Sequence, residues 1–235
     1  MASTRSRAWV KTSSGRTRSA ASRRSIARPT AMLVDPAAPA PAPKVLAKLT
    51  ETHAKLQLIV LTHFHYDHVG GADALRDATG ARVAIHHADS GALRAGGQLY
   101  VTPRRPLGRV LAPSVMRGLE EPVIPDLELD DDEDLTQHGG IGRSFWTPGH
   151  TPGSASVQLP TGTVLAGDAF GEALFPRHGA ELPLFADDLD IARRSQLAII
   201  DAARGDVRVA HYGRLQERSL AKLAQRLRGA DARPA

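Results

Sequence analysis

The 235-residue chain contains no cysteine, which excludes a disulfide framework, a thiol nucleophile, an iron–sulfur cluster and any thiolate-ligated metal. A metal bound by this chain must therefore be held by histidine and carboxylate side chains. The sequence also lacks an uninterrupted run of about 18 apolar residues, which argues against an integral membrane protein. With 42% hydrophobic and 23% charged residues, it has enough apolar material for one large domain or at most two small ones.

Acidic residues are missing from the first 34 positions, which hold eight of the 30 Lys and Arg residues. The remainder has 22 basic residues against 25 acidic ones, so the basic pI of about 10 arises from this segment. Because the segment is rich in Ser, Thr, Ala and Arg and has little to pack, we predict a disordered basic tail at 1–30 and the folded domain at 31–230. An organelle transit peptide has a similar composition, but we expect a cytoplasmic protein.

Apolar periodicity predicts alternating strands and helices after the tail, and hence an α/β fold. The stretch 56–61 is almost continuously apolar, as expected of a strand covered on both faces. The stretch 96–134 is less regular, with one helix predicted near 107–119 and a turn at the acidic run 130–134. Further strands are predicted at 31–34, 82–86, 141–147, 154–159, 163–166 and 207–210, and further helices at 44–53, 70–78, 87–94, 188–203 and 214–228.

A cluster of histidines and an acid follows directly after the strand at 56–61, in the segment T-H-F-H-Y-D-H-V-G-G. His63 and His65 are two positions apart, so in extended backbone they point the same way and can hold one cation. Asp67 and His68 follow as the chain turns, and their different direction indicates a second cation beside the first. A chain of this composition contains H-x-H-x-D-H by chance only about once in a thousand cases, so the motif is a specific signal.

Three further potential ligands also follow predicted strands. His150 lies in T-P-G-H-T-P-G-S, Asp168 in A-G-D, and His211 in V-A-H-Y-G. Loops at one end of a sheet share one rim, so ligands that are distant in sequence can converge there. Each of these positions is weak evidence alone, but together they reinforce the prediction of a metal site.

With these motifs the sequence resembles the metallo-β-lactamase-fold hydrolases, a superfamily that includes hydroxyacylglutathione hydrolases and acyl-homoserine lactonases. The resemblance covers about residues 31–228. It implies an αββα sandwich with two divalent metal ions, zinc being preferred over iron or manganese. Matching the motifs implies that the first ion is held by His63, His65 and His150. It implies that the second ion is held by Asp67, His68 and His211, and that Asp168 bridges both ions.

The family usually begins with two or more strands before the segment that resembles Met32-Leu33-Val34-Asp35, where this chain has its Arg- and Ser-rich tail. We therefore expect an exposed sheet edge, which a homodimer would cover. Related enzymes often contact substrate just after the bridging aspartate. On this basis we predict substrate contacts at Phe170 and His178, and we predict a further contact at Tyr66. His86 and His87, at a strand–helix junction, are expected to be packing or capping groups.

The ligand set predicts a dinuclear metal-dependent hydrolase acting on a small molecule. Neutral imidazoles and two carboxylates leave the two cations with net positive charge, which brings a bound water toward a pKa of about 7. The resulting bridging hydroxide is expected to attack the carbonyl of a small ester, thioester or lactone, and Asp67 to orient it or move its proton. Two alternatives stay open: an iron-dependent oxidoreductase like the persulfide dioxygenases, and a nucleic-acid-processing hydrolase of the same fold, which the basic tail favours only weakly.

Overall fold

The computed structural model describes residues 8–11, 17–20, 28–37, 42–96, 102–104, 106, 108–110, 122–173 and 179–231. Most of the helix predicted near 107–119 lies outside these residues. Within the described part of the chain, no helix combines the length and the apolar character that crossing a membrane requires.

Two short strands, β1 (Ala8–Lys11) and β2 (Thr17–Ala20), pair antiparallel within the segment for which the sequence predicts disorder. They form a two-stranded sheet of their own. Part of the tail is therefore paired, extended backbone. The division of the chain into a tail and a domain near residue 30 stays a prediction.

The first large sheet consists of four parallel strands in the order β3-β4-β5-β6. Helices follow or connect these strands, as expected for parallel pairs. The strands are β3 (Thr30–Val34), β4 (Lys55–Leu61), β5 (Arg82–His86) and β6 (Leu127–Leu129). The helices are α1 (Ala42–Thr52), α2 (Tyr66–Val69), α3 (Ala72–Thr79) and α4 (His87–Arg94).

The second large sheet is mixed and has the order β14-β13-β10-β9-β8-β7. Its strands are β7 (Asp132–Asp134), β8 (Arg143–Trp146), β9 (Ala155–Gln158), β10 (Val164–Leu165), β13 (Val207–Val209) and β14 (Gly213–Arg214). A short hairpin and two long helices accompany it: β11 (Gly171–Ala173), β12 (Gly179–Glu181), α5 (Leu189–Ala202) and α6 (Glu217–Asp231). A single 3-10 turn spans Leu135–His138.

Three apolar clusters separate four layers of secondary structure. Alternate residues of β4 show this directly, because Ile59 packs with Leu75 of α3, whereas Leu58 packs with Val157 of β9. The third cluster joins the second sheet to α5 and α6, for example through Ile199. The order helix, sheet, sheet, helix confirms the predicted αββα sandwich.

The prediction of a turn at the acidic run is wrong for Asp132–Asp134, which form strand β7 and pair antiparallel with β8. The charges are compensated by neighbours that lie elsewhere in the sequence. Arg143 of β8 binds Asp132 at 2.8 Å, and His138 lies 2.9 Å from Glu133. Strand pairing therefore overrides the low strand propensity of aspartate.

Strand β3 forms one edge of the first sheet, and its residues from Ala31 to Val34 are only partly buried. This agrees with the exposed edge that the sequence predicts. The homodimer that would cover the edge stays a prediction.

Candidate metal centre

All seven predicted metal ligands lie in loops or a short helix at one rim of the sandwich. Each follows a strand or connects two strands, so the ends of both sheets supply them. The first four lie directly after β4 and in α2: His63, His65, Asp67 and His68. His150 lies between β8 and β9, Asp168 lies after β10, and His211 lies between β13 and β14.

The first group consists of three buried histidines whose ring nitrogens converge. Nε2 of His150 lies 3.3 Å from Nε2 of His63 and 3.1 Å from Nδ1 of His65. Two nitrogens bound at about 2.0–2.1 Å to one tetrahedral ion are about 3.3 Å apart, so the observed spacing fits ligands of one shared metal.

Hydrogen bonds at the opposite ring nitrogens orient two of these imidazoles. Nδ1 of His150 lies 2.9 Å from the carbonyl oxygen of Phe185, to which it donates. Nδ1 of His63 lies 3.0 Å from Oγ1 of Thr62, whose own hydroxyl donates to Asp35. With Nδ1 protonated in both rings, Nε2 carries the lone pair that faces the cluster, as a metal ligand requires.

The second group places two histidines against two carboxylates. Nε2 of His211 lies 3.2 Å from Asp67 and 3.3 Å from Asp168, and Nε2 of His68 lies 3.4 Å from the other oxygen of Asp168. Asp168 also approaches Nε2 of His150 in the first group, at 3.8 Å. Its carboxylate thus faces both groups of nitrogens.

The protonation of these histidines differs between the two groups. Burial, together with the charge of neighbouring histidines, holds the pKa of His63 and His65 well below the ordinary value. Hydrogen bonds to Asp168 and Asp67 raise the pKa of His211 to about 10. Burial acts to lower the pKa of His68, but Asp168 and Asp35 raise it well above its usual value.

These observations test whether the residues fit a pair of metal ions. In the first group, three buried ring nitrogens converge, and two of them, Nε2 of His63 and Nε2 of His150, direct lone pairs into the cluster, an arrangement that a cation stabilises. In the second group, Nε2 of His68 is buried and makes no well-formed hydrogen bond: a carboxylate oxygen of Asp168 is 3.4 Å away, whereas its Nδ1 binds Asp35 at 2.9 Å. The donor set and this buried nitrogen both fit metal binding.

Asp35 is a functional candidate that sequence reasoning missed. Its carboxylate accepts hydrogen bonds from the backbone N–H and the hydroxyl of Thr62, both at 2.8 Å, as well as facing Nδ1 of His68. It therefore orients histidines of both groups. The signal in the sequence was an acid at the end of the strand predicted at 31–34, which resembles any strand-ending aspartate.

The predicted substrate contacts have different surroundings. Tyr66 opens α2 beside the ligands and is partly exposed. Phe170 is only 3% exposed and packs in the apolar cluster beneath the second sheet, so its predicted role is not supported by its position. His178 lies outside the described residues.

A third group of potential ligands lies apart, at the start of α4. Nε2 of His86 is 3.1 Å from Asp131, and Nε2 of His87 is 3.8 Å from the same oxygen. Nδ1 of His86 accepts a hydrogen bond from the backbone N–H of Ala88, which leaves the ring proton on Nε2 facing Asp131. A protonated Nε2 cannot bind a metal, and the predicted capping role of His86 is confirmed.

A cavity of about 280 Å³ borders the second group, with Asp67, His68 and His211 in its wall. This is near the lower end of the volumes typical of small-molecule sites.

Residues 30–214 match the family model of the metallo-beta-lactamase superfamily, and the chain belongs to that superfamily. It is 33% identical over 143 residues to the uncharacterized protein YobT of Bacillus subtilis, covering 59% of this chain and 56% of that one. It is 32% identical over 149 residues to a hydroxyacylglutathione hydrolase of Synechococcus sp., covering 62% of this chain and 44% of the relative. The chain thus spans about half the length of these curated relatives.

Solved structures share the fold at low sequence identity. The TTHA1623 protein in a di-iron-bound form superimposes with a TM-score of 0.57 at 22% identity, over 94% of this chain and 92% of that one. The BLEG-1 B3 metallo-beta-lactamase gives a TM-score of 0.56 at 23% identity, over 77% of this chain and 81% of that one.

Proposed function

We propose that this protein is a dinuclear metal-dependent hydrolase that cleaves the acyl C–O or C–S bond of a small ester, thioester or lactone. The observation that carries the proposal is the convergence of three buried imidazole nitrogens beside a second group of two histidines and two carboxylates. Relatives named hydroxyacylglutathione hydrolase favour a thioester, because an acylglutathione is one.

In this proposal three histidines would hold the first ion, two histidines and Asp67 would hold the second, and Asp168 would be shared between them. Asp168 faces His150 of the first group and His211 of the second, which supports its proposed role as a ligand shared by both ions. Zinc is the proposed metal, because nitrogen-rich ligand sets suit it. Imidazole also suits iron, and one structural neighbour is a di-iron form, so the ligands alone do not select the metal.

Bound divalent cations supply two things here: they lower the pKa of water toward about 7, and they polarise a carbonyl. The orientation of the attacking water and the acceptance of its proton depend on the chain's own residues. Asp67 has a side chain that is 52% exposed, and its pKa is lowered by His211 and His68 against the opposing effect of burial. An ionised, accessible carboxylate at this position can orient an attacking water and accept its proton.

The two alternatives are not favoured by these findings. A mononuclear oxidoreductase needs two histidines and one aspartate, whereas two complete ligand groups are present together. The nucleic-acid alternative rests on the basic tail alone.

The decisive experiment combines elemental analysis of purified protein with a panel of p-nitrophenyl esters, thioesters and lactones. We expect two zinc ions per chain and acid release from one substrate class. The His65→Ala and Asp67→Ala variants should lose at least about 100-fold in turnover, because each removes a metal ligand, while the circular dichroism spectrum stays unchanged.

The matched control is His138→Gln, which removes a histidine that binds Glu133 outside both groups. It should keep its metal and its activity. Full activity in either ligand variant contradicts the proposal, and one iron per chain with oxygen consumption supports the oxidoreductase instead.

A further inference from the structure

Asp89 is a buried acid that the proposed chemistry does not use. It lies in the first turn of α4 and has no exposed surface. Burying a carboxylate is costly unless hydrogen bonds satisfy its oxygens. Its oxygens accept from the backbone N–H of Gly153 at 2.6 Å and from the hydroxyl of Thr151 at 2.7 Å, and the backbone N–H of Phe64 also donates to it.

These three donors belong to the two loops that form the first metal group. Phe64 stands between His63 and His65, and Thr151 directly follows His150. A single carboxylate therefore joins two segments that come from different sheets. The ligand nitrogens of these segments must stay about 3.3 Å apart to share one ion.

The backbone around Asp89 is packed too closely for free movement. A Cβ atom at Gly153 would lie 2.6 Å from Cγ of Asp89, so only glycine allows this approach. Thr151 is held in turn by Ser154, whose Oγ lies 2.7 Å from the threonine hydroxyl and accepts from its backbone N–H at 3.0 Å. The contact between helix and loop thus has a fixed geometry.

We propose that Asp89 is a positioning residue, which sets the separation between the His63–His65 loop and the His150 loop for the first metal. The inference rests on the metal binding of the proposed function. A simple helix-capping role does not account for the contacts, since His86 already caps α4 through Ala88. The oxygens of Asp89 face the two loops.

The test measures zinc affinity, by competition with a chelator, in protein that carries His211→Ala. This background removes a ligand of the second group, so that the first site is measured alone. Two variants weaken the contact: Asp89→Asn turns one accepting oxygen into an N–H donor, and Thr151→Val removes a donor hydroxyl at nearly constant volume. We expect each to bind zinc about 10-fold more weakly, as for other residues that orient metal ligands.

Two controls separate positioning from general stability. Thr151→Ser keeps the hydroxyl and should restore the affinity. Ser90→Ala changes a buried neighbour on the same helix, whose hydroxyl donates to Glu128 away from both loops, and it should leave the affinity unchanged.

The proposal is overturned if Thr151→Val binds zinc as tightly as its parent, or if Ser90→Ala loses as much affinity. Should Asp89→Asn not fold, the Thr151 pair decides the question. A parent protein that binds no zinc contradicts the proposed function itself, which is a different result.

Discussion

At the scale of single residues, the partners of the ring nitrogens determine what each histidine can do. In His68, His63 and His150, Nδ1 donates to an acceptor: Asp35, Thr62 and the carbonyl of Phe185, respectively. Nε2 of each ring is then left to face the cluster. In His86, by contrast, Nδ1 accepts from the backbone N–H of Ala88, which leaves the proton on Nε2. The partner at Nδ1 therefore distinguishes the proposed ligand histidines from the capping histidine His86.

The Asp35→Asn variant tests this control of ring orientation. Its backbone φ of 51° suits asparagine, so the fold should persist while the negative charge beside His68 is lost. We expect zinc binding at the second site to weaken about 10-fold to 100-fold, measured by chelator competition. Asp77→Asn, on the exposed face of α3, is the control, and equal affinities in the two variants would count against the role of Asp35.

A second prediction concerns pH. Burial raises the pKa of Asp89 to about 6, so the folded metal-free chain holds this proton more tightly than the unfolded chain. The stability from this group is therefore complete below about pH 4 and is lost as the pH rises toward 6. In denaturant titrations, the free energy of unfolding of the wild type should fall relative to Asp89→Asn by up to about 1.4 kcal/mol per pH unit in this range. If the free energies of unfolding of the wild type and of Asp89→Asn change with pH in parallel, the prediction is contradicted.

At the scale of elements, the His150 loop is seated directly on helix α5. Gly149 has a φ of 123°, and a Cβ atom there would lie 2.3 Å from the backbone nitrogen of Ala192. Ser195 of the same helix donates to the carbonyl of Pro148 at 2.7 Å. The position of this ligand loop thus depends on the helix behind it.

Gly149→Ala should destabilise the protein by at least about 2 kcal/mol, because it combines backbone strain with overlap against α5. The matched control is Gly91→Ala within α4, where nothing lies within 4 Å of the added carbon. Alanine there should raise stability by about 0.5–1 kcal/mol. Thermal unfolding measures both, and equal effects would show that the loop tolerates a side chain.

At the scale of the whole molecule, the two groups of proposed metal ligands lie where the two sheets meet. Four ligands follow β4 of the first sheet, and three come from the second sheet. Ions bound here would add a link between two halves that also meet through an apolar cluster and through the hydrogen bonds of Asp89. Metal binding is therefore expected to stabilise the fold as well as to support catalysis.

Zinc at about 100 times its dissociation constant should stabilise the metal-free protein by about 2.7 kcal/mol, and a chelator should reverse the effect. Thermal unfolding with and without zinc measures this, with magnesium as the control ion. A melting temperature that does not change when zinc is added contradicts the proposed site.

The sequence was sufficient to predict the layered fold and the seven residues that converge, because a dense motif and strand-end positions mark them. It was not sufficient for Asp35, Asp89 or strand β7. An isolated aspartate carries no sign of the distant donors that it will accept from, and β7 forms only through pairing with β8. The partners that define these features are far apart in the sequence and are visible only in the folded chain.

The order of the ligands along the chain has a consequence for biosynthesis. His63 to His68 are translated first, whereas the other three follow during synthesis of the second sheet: His150 after β8, Asp168 after β10 and His211 after β13. A nascent chain that has not yet reached His211 cannot complete the second group. If the proposed ions bind, loading of the second group would therefore be a late event, after residue 211 has been translated.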